Sequence, residues 1–367
     1  VKAGADRAAK RARLLRLLDA AGADRLVLTS HGAVSWYLAG ARTHVSLLGD
    51  PVLAVVAGRQ RDTVVVFANE RARLEAEELP GDVDVVEVPW HEPLASALPA
   101  GPGVLQESDV AAELRAARAA LLPGELAGYR VLGRECAEVV TDVLGAARSI
   151  RSERDIATAL GAGLIVRGID PLVLLVAGRD RLGYRHPLPT GAPLGDRAMV
   201  VVCGRRDGLI ANLTRWVRFG PARPHEADAE ERIREVEAAF FTATTAGATL
   251  GEAFAAGAVS YGANGFDPNE WRNHHQGGAA GYNGRDPRAT PGATDPIQLG
   301  QAFAWNPTAP GAKIEDTVLL TADGIEVITA DDRWPAVTVG GIRRPVELQR
   351  DPEPQRASEP QRERETT

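Results

Sequence analysis

With 367 residues, 44% of them hydrophobic and 25% charged, the chain has the make-up of a globular protein too long for one ordinary core, so two domains are expected. Its formal charge of −7 excludes a sequence-independent grip on nucleic acid, which needs clustered cations to displace counterions from phosphates. Cys136 and Cys203 stand in no paired spacing, which excludes a disulfide framework or thiolate zinc site and fits a reducing cytoplasm. Residues 1–18 are basic and amphipathic, without the apolar run of a signal peptide or membrane span, so a cytoplasmic chain with no membrane partner is expected.

Residues 5–21 set Leu14, Leu15, Leu17 and Leu18 among arginines and lysines, the pattern of a helix with one apolar face. Strands are expected at 25–29, 52–56 and 63–67, the last two separated by Gly58 and a polar turn. Residues 87–103 contain Pro89, Pro93, Pro99 and Pro102 and read as a linker or long loop that ends this α/β unit. Helices follow at 110–122, 133–144 and 152–167, the last opened by the cap-like Ser152-Glu-Arg-Asp155. Strands at 172–176 and 198–203, a helix at 228–245, a Gly/Asn-rich stretch at 262–284 and strands around Phe303, Val318 and Ile325 complete the pattern. Residues 348–367 are Pro, Gln, Arg and Glu with almost nothing apolar, and read as a disordered tail. The fold class is thus mixed α/β (α+β), with domains at 1–122 and 123–347 ahead of that tail.

Three segments concentrate side chains suited to chemistry. His186-Pro187 offers an imidazole, the group best suited to proton transfer at neutral pH, although a histidine before proline is as often a plain loop residue. Residues 271–286 (WRNHHQGGAAGYNGRD) pack His274, His275, Gln276, Tyr282, Arg285 and Asp286 among four glycines that let backbone approach a ligand closely; the bland alternative is a surface loop. Residues 313–324 place Glu315 and Asp316 before an apolar run and an Asp323-Gly324 turn, which alone is only a hairpin.

In their order and spacing these segments resemble the pita-bread family, which includes X-Pro aminopeptidases, prolidases, methionine aminopeptidases and the metal-free creatinase. Residues 29–40 (TSHGAVSWYLAG) resemble a first-domain segment running into a Trp-x-x-Gly turn, and Ser152-Glu-Arg-Asp155 is similar to the start of the catalytic domain. His186-Pro187 resembles the family's active-site histidine, which in creatinase is the implied acid/base. Residues 208–215 (GLIANLTR) are similar to Gly-Tyr-x-x-Asp-x-Thr-Arg, and residues 313–316 (KIED) to the closing Arg-Ile-Glu-Asp. The resemblance implies a creatinase-type N-terminal α/β domain followed by a pita-bread catalytic domain.

It also implies two divalent ions held by two Asp, one His and two Glu, and here the chain departs. In an ungapped register those positions fall on Val201, Asn212, a place near Gly278, Asn306 and Glu315, of which only Glu315 keeps its type; a small shift would bring His275 or Gln276 to the histidine position. Neutral amides and glycine cannot balance two dications, so no metal site and no cofactor are expected. Asn212, Asn306 and the 271–286 cluster remain polar, unlike an abandoned pocket, and the resemblance to creatinase then implies a metal-independent hydrolase or lyase that cleaves a C–N bond in a small polar nitrogen-containing substrate. His186 is assigned as acid/base, with Glu315 and His274 beside it. Substrate binding is assigned to Asn212, Arg215, His275, Gln276, Tyr282, Arg285, Asp286, Asn306 and, from the first domain, Arg42. Two alternatives stand beside it: an X-Pro metallopeptidase using Mn, Co or Zn on His274, His275, Glu315 and Asp286, and a non-catalytic peptide-binding module. The resemblance further implies a homodimer, with the Trp36-Tyr37 to His44 stretch and Arg42 reaching toward a partner's site.

Overall fold

The computed structural model describes residues 2–351; most of the segment read as a tail lies outside the described residues. The chain opens with α1 (Lys2–Ala21), β1 (Arg25–Leu28), α2 (His31–Tyr37), β2 (Leu53–Gly58), β3 (Thr63–Phe67), α3 (Arg71–Glu77), β4 (Asp84–Val88) and β5 (Val104–Gln106). These strands form one sheet in the order β4-β3-β2-β1-β5. The proline-rich stretch therefore does not end the unit: after it the chain returns to lay β5 parallel to β1. Short helix α4 (Ala111–Ala119) leads to the long α5 (Pro123–Gly145), whose first turn carries proline, where a missing N–H costs nothing.

Helix α6 (Glu153–Val166) begins with a reciprocal cap in which Ser152 Oγ accepts from Asp155 N and Asp155 accepts from Ser152 N, as the sequence suggested. Strands β6 (Asp170–Ala177), β7 (Arg197–Arg206) and β8 (Leu209–Phe219) follow as an antiparallel meander. Helices α7 (Pro224–Ala243) and α8 (Leu250–Ala263) pack against a second sheet made of β9 (Gly277–Ala280), β10 (Ala302–Trp305), β13 (Asp316–Thr321) and β14 (Gly324–Val327), with the small ladder β11 (Thr308–Ala309) and β12 (Ala312–Lys313) between. A hairpin of β15 (Ala336–Val339) and β16 (Ile342–Pro345) and the strand β17 (Leu348–Arg350) complete the described chain. Strand β17 pairs parallel to β8, so the first three residues assigned to a tail belong to the sheet.

The apolar core is continuous from Leu14 and Leu18 on α1 through Tyr129, Leu132 and Val140 on α5 to Val200 and Leu213 on the meander. Strand β8 is buried along its whole length, including Asn212, Thr214, Arg215 and Arg218. Buried charge of this kind needs a partner. Arg215 Nη2 donates to Asp316 Oδ1 at 2.8 Å, while Arg218 and Arg197 share Glu347 and Glu226. Among the described residues no helix is long and apolar enough to cross a membrane.

Candidate active site

Three histidines separated by up to 89 positions meet at one end of the meander. His186 lies in the loop between β6 and β7, and that loop is held at both ends. Glu153, at the start of α6, accepts from Gly178 N at 2.8 Å and Thr190 N at 2.8 Å and pairs with Arg181. Arg185, next to His186, bonds Thr308 Oγ1 at 3.0 Å and pairs with Glu270. His274 and His275 sit just ahead of β9, where Gln276 staples the turn: its amide donates to Trp271 O at 3.1 Å and His274 O at 2.7 Å, and its oxygen accepts from Tyr261 Oη at 2.7 Å.

His274 Nε2 lies 3.1 Å from His186 Nε2, and the His274 and His275 rings stack with centroids 4.3 Å apart. One nitrogen from each of the three rings falls within 4.8 Å of the others. Burial, followed by the charge of Lys313, holds His274 down to about 2, and burial with Arg285 holds His275 down to about 3. His186 is lowered by the same two influences as His274, although it is the exposed member. The cluster is therefore made of neutral imidazoles.

Beside it lies a charged group centred on Glu315, which is 2% exposed. Its carboxylate accepts from Arg285 Nη2 at 2.6 Å and Thr214 Oγ1 at 3.0 Å and stands 3.9 Å from Lys313 Nζ. Burial alone would raise the Glu315 carboxyl, but the charges of Lys313 and Arg285 and these hydrogen bonds lower it, so it is ionised. Asn212 stands opposite Cys203 across β7 and β8, two residues from Thr214. The Oδ1 atoms of Asn212 and Asn306 and the Nε of Arg285 are buried without a hydrogen-bond partner, as are Nδ1 of His274 and of His275. A site with this much spare bonding capacity is built to receive something polar.

The other residues singled out in the sequence have different partners. Gln276 is consumed by its turn, and Arg215 is buried against Asp316 and Thr329 O. Tyr282 Oη bonds Glu125 at 2.6 Å, with Lys10 at 3.3 Å, and joins the first sheet's helices to the second half of the chain. Asp286 pairs with Arg118 at 2.6 Å. Arg42 is held at the surface by Glu77 and Glu78, and Trp36 and Tyr37 are buried in the core. Lys313 is a site residue that the sequence reading did not single out. Lys313 had a signal, its place two residues before Glu315 on the segment already singled out; burial pushes the Cys203 thiol up to about 12, which leaves it a spectator.

An N-terminal α/β unit followed by an antiparallel meander, with polar side chains buried along β8, is the arrangement of the pita-bread class. The sequence pattern of metallopeptidase family M24 matches residues 127–322, more than half of the chain, and the chain belongs to that family. Prolidase from Pyrococcus horikoshii OT3 superposes with a TM-score of 0.71 at 16% identity, covering 88% of this chain and 99% of that one. Dipeptidase PepE from Mycobacterium ulcerans does so at 0.73 and 19% identity, with 94% and 98% covered. The N-terminal domain of the FACT complex subunit SPT16 from chickpea, Cicer arietinum, gives 0.63 at 13% identity, with 89% and 97% covered. A search of curated proteins gives no match.

The family's pair of metal ions does not fit these residues. Val201 packs with Leu175, Met199 and Trp216, and Asn212 and Asn306 are amides. At Gly278, φ is +138° and an added Cβ would lie 2.5 Å from Ala289 N and 2.7 Å from Pro287 O, so no histidine can stand there. Glu315, the surviving carboxylate, is already matched by two cations.

Proposed function

We propose that this chain is a small-molecule hydrolase whose centre is made of histidines instead of carboxylate-bridged metals, and that it cleaves a C–N bond in a polar nitrogen-containing substrate carrying an anionic group. One observation carries the reading: the cations of Arg285 and Lys313 flank Glu315 beside three neutral imidazoles. Two positive charges against one negative leave room for an anionic substrate, and a guanidinium with a free Nε suits a carboxylate. The free oxygens of Asn212 and Asn306 accept N–H bonds from the substrate's nitrogen end.

In the reaction a water oxygen attacks the carbonyl or amidino carbon, its proton passes to His186, and the same proton moves to the departing nitrogen as the C–N bond breaks. His274, hydrogen-bonded to His186, fixes the orientation of that ring. The solved structures similar in fold include proteins named as prolidases and dipeptidases, which places dipeptides at the head of the substrate panel, with guanidino, amidino and imino-acid compounds after them.

The test is product formation from that panel, followed by chromatography, for the wild type and for His186→Gln. Turnover of one class, reduced about a hundredfold or more in the variant, is expected from the loss of an acid/base group. Unchanged turnover in the variant removes His186 from the reaction. Tight binding of peptides with no turnover overturns the hydrolase reading in favour of a binding module.

A further inference from the structure

We propose that His186, His274 and His275 together bind one divalent transition-metal ion of the nitrogen-preferring kind, zinc above all, at a mononuclear site distinct from the family's carboxylate pair. The inference rests on the reading above only for the place of the site; an ion held there takes over from His186 the task of activating water.

Geometry carries the argument. Three imidazoles offer nitrogens within 4.8 Å of one another, and the closest pair, His186 Nε2 and His274 Nε2, is 3.1 Å apart. Two nitrogens on a tetrahedral zinc, each at about 2.0–2.1 Å, stand about 3.3 Å apart, so the His186–His274 pair needs to shift only a few tenths of an ångström, while His275 closes in from within 4.8 Å. His274 is 8% exposed, and its Nδ1 and that of His275 find no protein partner. The backbone that carries the rings is also held. Gln276 fixes the backbone of the histidine pair, and Arg185, tied to Thr308 and Glu270, fixes the backbone at His186, the kind of support that keeps metal ligands in place.

The choice of ion follows from the ligands. Three imidazoles with no carboxylate suit Zn, Co, Ni or Cu and offer little to Mg, Ca or Mn, which prefer oxygen. Lys313 and Arg285 oppose a dication at long range, but Glu315 offsets one of them. Three protein ligands also leave the fourth tetrahedral position open, as in a catalytic zinc site.

The experiment uses the whole chain without a histidine tag, purified without chelator, with metal content read by mass spectrometry. Dialysed protein is then titrated with Co2+ and followed by its visible absorption. About one zinc per chain, and one Co2+ with the intense bands of tetrahedral coordination, are expected. His274→Ala and, independently, His275→Ala should weaken Co2+ binding by at least about 100-fold while circular dichroism stays that of the wild type. Zinc near zero with no tetrahedral Co2+ signal overturns the proposal, as does equal binding by both variants. Two Mn per chain overturns it in favour of a family-type pair. Turnover that depends on His186 in metal-free protein leaves the hydrolase reading standing and this inference fallen; one bound zinc with no turnover does the reverse.

Discussion

Replacing Arg285 by Met removes one of the two cations that flank Glu315. Glu315 is buried and ionised, with Arg285 bonded at 2.6 Å and Lys313 at 3.9 Å. At an effective dielectric near 20, a unit charge about 4 Å away contributes about 4 kcal/mol of attraction, so each cation is worth a few kcal/mol before desolvation is subtracted. Breaking a buried pair by deleting one partner costs about 3–5 kcal/mol. Here Lys313 and the Thr214 hydroxyl remain, which sets the expected loss at about 3 kcal/mol. Glu315→Gln alone leaves both Arg285 and Lys313 without a counter-charge, whereas the double variant leaves only Lys313 so, and the double should lose about 2 kcal/mol less than the sum of the two singles, a coupling readable from a double-mutant cycle. Urea unfolding followed by tryptophan fluorescence measures all four proteins, the chain having six tryptophans. A loss below about 0.5 kcal/mol for Arg285→Met, or losses that simply add in the double variant, refutes the claim that Arg285 is the internal counter-charge of Glu315.

Gly278→Ala should cost roughly 2–5 kcal/mol, because its φ of +138° is open only to glycine and the new Cβ would press on the backbone of 287–289; a thermal midpoint within a degree of the wild type would show that the strand yields freely. Glu226 supplies a pH signature. Burial pushes its carboxyl up, but hydrogen bonds from Arg179 and Arg218 and the charge of Arg197 hold it down to about 2 from an ordinary 4.5. Its folded value lies below its unfolded one, so its contribution of about 3 kcal/mol is complete above pH 4.5 and is lost as pH falls toward 2. Glu226→Gln should therefore flatten the fall of the thermal midpoint between pH 5 and 3 seen by calorimetry, and parallel curves for the two proteins would remove that carboxylate from the account.

Much of the framework is legible in the sequence where local chemistry is strong. Thr63–Phe67 is a strand with the bounds expected, since a continuous run of β-branched residues meets polar turns at both ends. The cap at Ser152 is likewise written in four residues. Strand β8 escaped the reading because both of its faces are buried, so Asn212, Thr214, Arg215 and Arg218 interrupt any simple alternation. Helix α8 escaped it because alanines and glycines surround it and leave no clear apolar stripe. At the site, the resemblance drew attention to His186 and to the 271–286 segment, but spacing cannot tell that His186 and His274 lie within hydrogen-bonding distance or that Gln276 and Tyr282, equally promising as letters, are spent on holding the fold together. The interatomic neighbours of a side chain are set by the packing of distant strands, which no local pattern records.

The ending of the chain bears on how it is to be handled. A reader of composition alone would trim it after residue 347, yet Leu348–Arg350 hydrogen-bond along β8, and Glu347, which ties down Arg197 and Arg218, sits at the hinge into that strand. Removing those three residues exposes an edge of the sheet that bears the site, an open template for pairing between molecules. Shortened proteins meant for crystallisation or assay should stop no earlier than Arg350, and aggregation of any shorter one would report the loss of the edge strand beside β8.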